Sequence, residues 1–155
     1  ILFLYGELRN SRNIAKTIVE KRADEKIDTS FQLREVLRKY LPKAKEHKII
    51  AQIFQAIRIE VNEELDVLRE FLEQIPNLLK DDGRLSVISY HSLEDRLVKR
   101  FIRTGLFSGE PRKDVFGNTS EPLKKVGKLV VPTSQEIKIN NRARSAKLRI
   151  ATLKK

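Results

Sequence analysis

His91, Ser92, Glu94 and Asp95 are the residues whose types and spacing most invite chemistry. They lie in the stretch Leu85-Ser86-Val87-Ile88-Ser89-Tyr90-His91-Ser92-Leu93-Glu94-Asp95-Arg96. A histidine is the one side chain whose ordinary pKa suits proton transfer near neutrality, so His91 is a candidate general base. The same histidine could instead be a turn residue that hydrogen-bonds its own helix start. Ser92 is a candidate partner and also a candidate N-cap, with Asp95 three positions on, close to a capping box. Glu94 and Asp95 are adjacent, so on a helix they diverge by about 100 degrees and make a poor acid and base pair. Behind them come Arg96, Lys99, Arg100 and Arg103, a basic face suited to an anionic polymer.

These residues need a strand and a helix to hold them. Leu85, Val87 and Ile88 read as a buried strand, and Leu93, Leu97, Val98 and Phe101 recur at helical spacing. The polar turn therefore sits at the carboxyl end of a strand, where open α/β sheets place ligands. Upstream, Asp81-Asp82-Gly83 reads as a helix-ending turn, with Gly83 suited to positive φ. Helix, turn, strand, turn, helix is the grammar of an α/β sheet with crossover connections, and one such unit does not complete a sheet.

Composition narrows the classes. The chain has 155 residues, 40% hydrophobic and 34% charged, with a net charge of +11. Residues 96–155 hold 16 Lys and Arg against 4 Asp and Glu, whereas residues 1–95 hold 16 against 17. A neutral front joined to a cationic back is the footprint of a nucleic-acid-facing surface. A solubilising surface has a similar composition. There are no cysteines and only two histidines, His47 and His91, so no metal site is expected. None of the six glycines forms Gly-x-Gly or Gly-x-Ser-x-Gly, which excludes a Walker loop, a dinucleotide fingerprint and a nucleophile elbow. No window approaches the roughly 18 apolar residues of a membrane span.

In chain order, a helix follows Asn10 or Ser11, and a second starts at Thr29-Ser30 and ends at Pro42. Residues 43–48 read as a charged surface link containing His47. Residues 49–80 form two apolar stripes with a break near Asn62, and Pro76 kinks or restarts the end. Arg58 and Asn62 share one helical face. Such a pair either touches a ligand or closes the helix with a hydrogen bond, and the second use is the commoner. Residues 104–132, punctuated by Gly105, Gly109, Pro111, Gly117, Pro122, Gly127 and Pro132, read as a basic loop. Lys124, Lys125 and Lys128 make it a candidate for phosphate contacts. A short capped helix at Thr133 ends near Asn140-Asn141. Arg142 and Arg144 then lead into a final strand in which Leu148 and Ile150 alternate with Lys147 and Arg149.

Three stretches together resemble one family: Phe54-Gln55-Ala56-Ile57-Arg58-Ile59-Glu60-Val61-Asn62-Glu63-Glu64-Leu65, Gly83 through Lys99, and Asn141-Arg142-Ala143-Arg144-Ser145-Ala146-Lys147-Leu148-Arg149. Tyr5-Gly6-Glu7 followed by Arg12-Asn13-Ile14-Ala15 fits as well. They are similar to the C-terminal half of the ribosomal RNA small subunit methyltransferase H family. The resemblance implies a partial class I, Rossmann-like α/β methyltransferase sheet, helix-rich as a fragment. A helical RNA-recognition insertion would occupy residues 1–55, and residues 56–155 would return to the sheet. It implies N4-methylation of a cytidine in bacterial small-subunit rRNA, with S-adenosylmethionine as cofactor, in the cytoplasm. The family's glycine-rich cofactor loop, ribose-binding acid and strand-end Asp motif lie upstream of this segment, so no cofactor-binding residue carries over. The chain, which starts without a methionine, reads as a truncation that is inactive alone. By the same resemblance, His91, Ser92 and the Asn141–Ser145 motif lie near the active-site side, without individual roles following from it. The residues read as RNA-facing are Arg58, Asn62, Arg96, Lys99, Arg100, Arg142, Arg144, Ser145 and Lys147. A non-catalytic basic RNA-binding module is the alternative.

Overall fold

A computed structural model describes residues 1–111, 115–116 and 121–154. The chain forms two compact units, Ile1–Glu64 and Leu65–Lys155.

The first unit is helical: α1 (Ser11–Asp24), α2 (Ser30–Val36), a 3-10 turn (Arg38–Tyr40) and α3 (Glu46–Val61). Its core is Leu8 of the N-terminal segment, Ile14 of α1, Leu37 and Leu41, which end α2 and the 3-10 turn, and Ile53 of α3. Thr29 caps α2 through a capping box with Gln32, as residue type and spacing require. The Tyr40 hydroxyl lies 2.9 Å from Thr17 Oγ1 and donates to the Asn13 carbonyl (3.1 Å), tying the 3-10 turn to α1. Gln52 Nε2 donates to the Gly6 carbonyl (2.9 Å), so α3 pins the N-terminal segment. The expected charged link at 43–48 is shorter than its composition suggests. Helix α3 already begins at Glu46 and carries His47, exposed, in its first turn. The break near Asn62 is present. Asn62 ends α3, and Glu63 takes the left-handed conformation (φ 52°) that stops the helix.

The second unit opens with α4 (Glu64–Leu78), whose last turn contains Pro76, and continues β1 (Leu85–Ser89), α5 (Ser92–Thr104), β2 (Leu123–Val130), α6 (Ser134–Ile139), a 3-10 turn (Asn141–Ser145) and β3 (Lys147–Leu153). The strands form one sheet in the order β1-β3-β2, with β3 antiparallel to both neighbours. Strands β1 and β2 therefore run parallel, joined by a crossover through α5, and β3 fills the gap between them. This is an α/β fold. Leu72 and Ile75 of α4 and Val98, Phe101 and Ile102 of α5 pack on Leu85, Leu123 and Ala151 of the sheet. Truncating a fully buried leucine such as Leu72 to alanine would cost about 2–5 kcal/mol. Phe101 also stacks on Phe107, with centroids 4.9 Å apart, which anchors the chain leaving α5.

Two expectations are corrected. In the Asp81-Asp82-Gly83 turn the positive φ (62°) belongs to Asp82, not Gly83. Gly83 is needed for another reason: a Cβ there would sit 2.8 Å from the Lys80 carbonyl oxygen. The stretch 104–132 is not all loop, because Leu123–Val130 forms β2. Strand β2 has a bulge that hides its periodicity. Val126 pairs with Ile150 and Val130 with Leu148, so four steps on β2 cover two on β3. Gly127 (φ 67°) provides the left-handed residue in that bulge. Gly117 lies outside the described residues.

Candidate functional site

Strand β1 delivers Ser89 to the rim of the sheet, and the next two residues, Tyr90 and His91, make the turn into α5. Ser89 is 2% exposed, and its hydroxyl has no hydrogen-bond partner among the described residues. Helix α5 is capped one residue earlier than residue type suggests. His91, not Ser92, is the N-cap: its Nδ1 accepts from the Glu94 N–H at 3.3 Å. The Glu94 carboxylate closes the box, accepting from the Tyr90 N–H (2.9 Å) and the His91 N–H (3.3 Å). His91 Nε2 lies 3.4 Å from Glu94 Oε1. The Nδ1 lone pair is thus used structurally. In the neutral ring the proton then sits on Nε2, which can only donate, so His91 could accept a proton only at Nδ1 and at the expense of the cap. Ser92 is the first helical residue and is exposed.

Asp95, one residue further, is buried among cations. Its Oδ1 accepts from Arg149 Nε at 2.7 Å, and its Oδ2 accepts from Arg149 Nη2 at 3.1 Å and from Lys147 Nζ at 3.3 Å. Burial pushes this carboxyl up. The Arg149 hydrogen bond and charge, reinforced by Lys147, outweigh burial, and the pKa falls below the usual carboxylate value. Through this contact the first turn of α5 is fastened to β3. The register pair Ser89↔Lys147 puts the start of β3 directly beside the end of β1. The 3-10 turn Asn141–Ser145 therefore enters the sheet next to the His91 turn. Within it Ala143 is buried (6% exposed), which turns Arg142 and Arg144 outward. Among the described residues, neither guanidinium has an ion-pair partner. Asn140 Oδ1 caps this turn by accepting from the Arg142 N–H at 3.1 Å.

The residues expected to face RNA fall into distinct settings. Arg142, Arg144 and Ser145 stand exposed beside the β1–α5 turn. Lys147 is drawn back to Asp95. Arg96 and Lys99 are exposed on α5, and Lys99 lines a cleft described below. Arg100 is partly buried and donates from Nη2 to the Gly109 carbonyl, holding the loop after α5. In the first unit, Arg58 is bidentate on Glu64 (2.6 and 3.0 Å), and Asn62 Nδ2 donates to the same carboxylate (3.3 Å). That is the hydrogen-bonded helix end, the commoner of the two uses of the pair.

Arg149, and the pairing of Asp95 with it, were not read from the sequence, where Asp95 entered only as a residue of the helix start. A signal existed. Lys147, Arg149 and Ala151 share one parity of β3, and Ala151 faces the apolar core, so two cations on that face require a buried carboxylate.

An S-adenosylmethionine cradle needs a glycine-lined turn at a strand end, open backbone N–H groups and an acid for the ribose. The described residues do not fit. The helix start after β1 carries no glycine, and the cap occupies its Glu94 N–H. The positive-φ glycines, Gly105, Gly109 and Gly127, lie after α5 and inside β2.

Three relatives illustrate the similarity. The chain is 64% identical over 151 residues to the ribosomal RNA small subunit methyltransferase H of Flavobacterium johnsoniae, covering 97% of this chain and 50% of that protein. It is 54% identical to the protein of the same name from Cytophaga hutchinsonii, covering 97% of this chain and 51% of that protein. For the one from Bacteroides fragilis, identity is 48%, covering 99% of this chain and 51% of that protein. The chain thus spans about half the length of the curated relatives it matches. With the sequence matching that family's pattern over residues 1–154, the chain belongs to the MraW methylase family.

Proposed function

We propose that the protein carries out S-adenosylmethionine-dependent N4-methylation of a cytidine in bacterial small-subunit rRNA, in the cytoplasm, with the rRNA or the ribosomal subunit as its partner. The observation that carries this is 64% identity over 97% of the chain to a protein named ribosomal RNA small subunit methyltransferase H. The chain supplies the C-terminal half. Residues 1–55 serve as a helical RNA-recognition segment, and residues 56–155 as the closing part of the methyltransferase sheet. The cofactor site belongs to sequence upstream.

The physical features agree with an RNA substrate. A base must be presented unstacked for chemistry at its exocyclic amine. Arg142 and Arg144, exposed beside the β1–α5 turn, offer charge to the backbone of such a nucleotide, which positions RNA without choosing the base. His91 and Ser92 lie at the strand end nearest that charge. The same geometry supports a second reading, a non-catalytic RNA-binding module, because the described residues provide no cofactor cradle.

Two measurements test the proposal. Treating small-subunit rRNA with a protein of the relatives' full length and S-adenosylmethionine should yield N4-methylcytidine by mass spectrometry, and its absence would leave only the binding module. Calorimetric titration of the 155-residue chain with S-adenosylmethionine should give no binding heat. Micromolar binding would contradict the upstream placement of the cofactor.

A further inference from the structure

A cleft of about 800 Å³ in the second unit lies between the outer half of α5, strand β2 and the end of β3. Lys99 and Arg103 of α5 and Lys124, Lys125 and Lys128 of β2 line it. All five are exposed, and among the described residues none has an ion-pair or hydrogen-bond partner for its side-chain nitrogen. This is unlike much of the chain, where Lys16, Lys21, Lys26, Arg34 and Arg69 each meet a carboxylate. The lining also holds Glu121, already joined to Lys154 at 2.8 Å, and Asp82. Arg149 lines it too, with its charge matched by Asp95. Ile102, Val126 and Ile150 supply apolar surface between the charges.

Building on the reading that this protein acts on RNA, we infer that this cleft holds a single-stranded RNA segment flanking the target nucleotide. Unpaired cations around a concave surface complement a polyanion, and single-stranded nucleic acid is held by such grooves with little regard to sequence. The cleft lacks aromatic rings, so it grips backbone and lays bases against aliphatic side chains. Strand β3 connects the two places. It runs from Lys147, beside the β1–α5 turn, to Thr152 in the cleft, about 17 Å at about 3.3 Å per residue. A few nucleotides bridge that distance. The bulge at Gly127 bends β2 where Lys128 joins the lining.

Lysines on an edge strand also guard against strand addition by another chain. That role explains Lys124, Lys125 and Lys128 but not Lys99 and Arg103, which come from a helix. The two roles separate by experiment. Binding of the chain to a fluorescein-labelled single-stranded RNA of mixed sequence, about 15 nucleotides long, is followed by anisotropy across a salt series. Three variants are compared: Lys99→Gln/Arg103→Gln, Lys124→Gln/Lys125→Gln/Lys128→Gln, and Arg142→Gln/Arg144→Gln. Circular dichroism and light scattering monitor fold and association. Both cleft variants should bind about tenfold more weakly or worse, and the triple variant should flatten the salt slope by about two, at about 0.7 per phosphate contact. Unchanged affinity and slope in the Lys99/Arg103 variant would overturn the inference. If the Arg142/Arg144 variant still loses affinity in that case, the RNA-directed function stands without the cleft. Association of the triple variant with no loss in the Lys99/Arg103 variant would leave edge protection as the whole explanation. A wild-type chain that ignores RNA at every salt concentration would remove both readings.

Discussion

Arg149 Nε donates to Asp95 Oδ1 at 2.7 Å, joining β3 to the first turn of α5 with both side chains largely shielded from water. A buried carboxylate with three cationic hydrogen bonds is costly to disturb one partner at a time, because the remaining charges lose their compensation. Asp95→Ala should therefore destabilise the second unit by about 3 kcal/mol, in the range found for breaking buried pairs. Urea unfolding monitored by circular dichroism measures it. A midpoint equal to wild type would show that the pair contributes nothing net.

The same contact predicts an acid dependence. The Asp95 pKa is lowered in the folded chain, so its stabilisation is fully present above the ordinary unfolded value of about 3.9 and is lost as pH falls through the lower folded value. The stability gap between wild type and Asp95→Asn should be constant from neutral pH to about pH 5 and should narrow below about pH 4. A gap that widens on acidification would reverse the sign of the argument.

His91 should matter first as a cap. His91→Ala removes the acceptor for the Glu94 N–H and should cost about 1 kcal/mol, whereas His91→Asn or His91→Asp should recover most of it. Thermal unfolding of the three variants reads this directly. If Asn and Asp restore stability yet a full-length enzyme with either substitution stays inactive, the imidazole has a chemical role beyond the turn.

Two glycines with the same backbone angle should respond differently. Gly105 and Gly127 both have φ 67°, so alanine is strained at each, by about 1 kcal/mol. A Cβ on Gly105 would also lie 2.7 Å from Pro122 Cδ, whereas one on Gly127 meets nothing within 4 Å. Gly105→Ala should therefore be the more destabilising, by about a further 1 kcal/mol. Equal midpoints would mean that Pro122 moves aside freely.

The elements that were legible in the sequence are those whose signals are local. The end of α3 was visible because its apolar stripe stops near Asn62 and another restarts at Leu65. The strand and helix flanking His91 were visible from period alone. Strand β2 was not. Leu123-Lys124-Lys125-Val126-Gly127-Lys128-Leu129-Val130 loses its alternation at the bulge, and its pairing partner β3 is about twenty residues away in sequence. The shifted cap was hidden because serine is the stronger cap by type, and only the Glu94 spacing from His91 favours the earlier residue. The ion pair of Asp95 was hidden because its partners, Lys147 and Arg149, lie more than fifty positions downstream, a distance no periodicity reports.

Helix α5 carries Glu94 and Asp95 in its first turn, and both carboxylates point their charge at the end of the helix where the dipole is positive. That pole is already neutralised from inside the fold. Glu94 is held by the Tyr90 and His91 N–H groups and Asp95 by Arg149 and Lys147, so both are engaged before any ligand arrives. A ligand at the β1–α5 turn therefore gains little from the helix dipole, and attraction for an anion on this side of the sheet rests on the exposed Arg142 and Arg144.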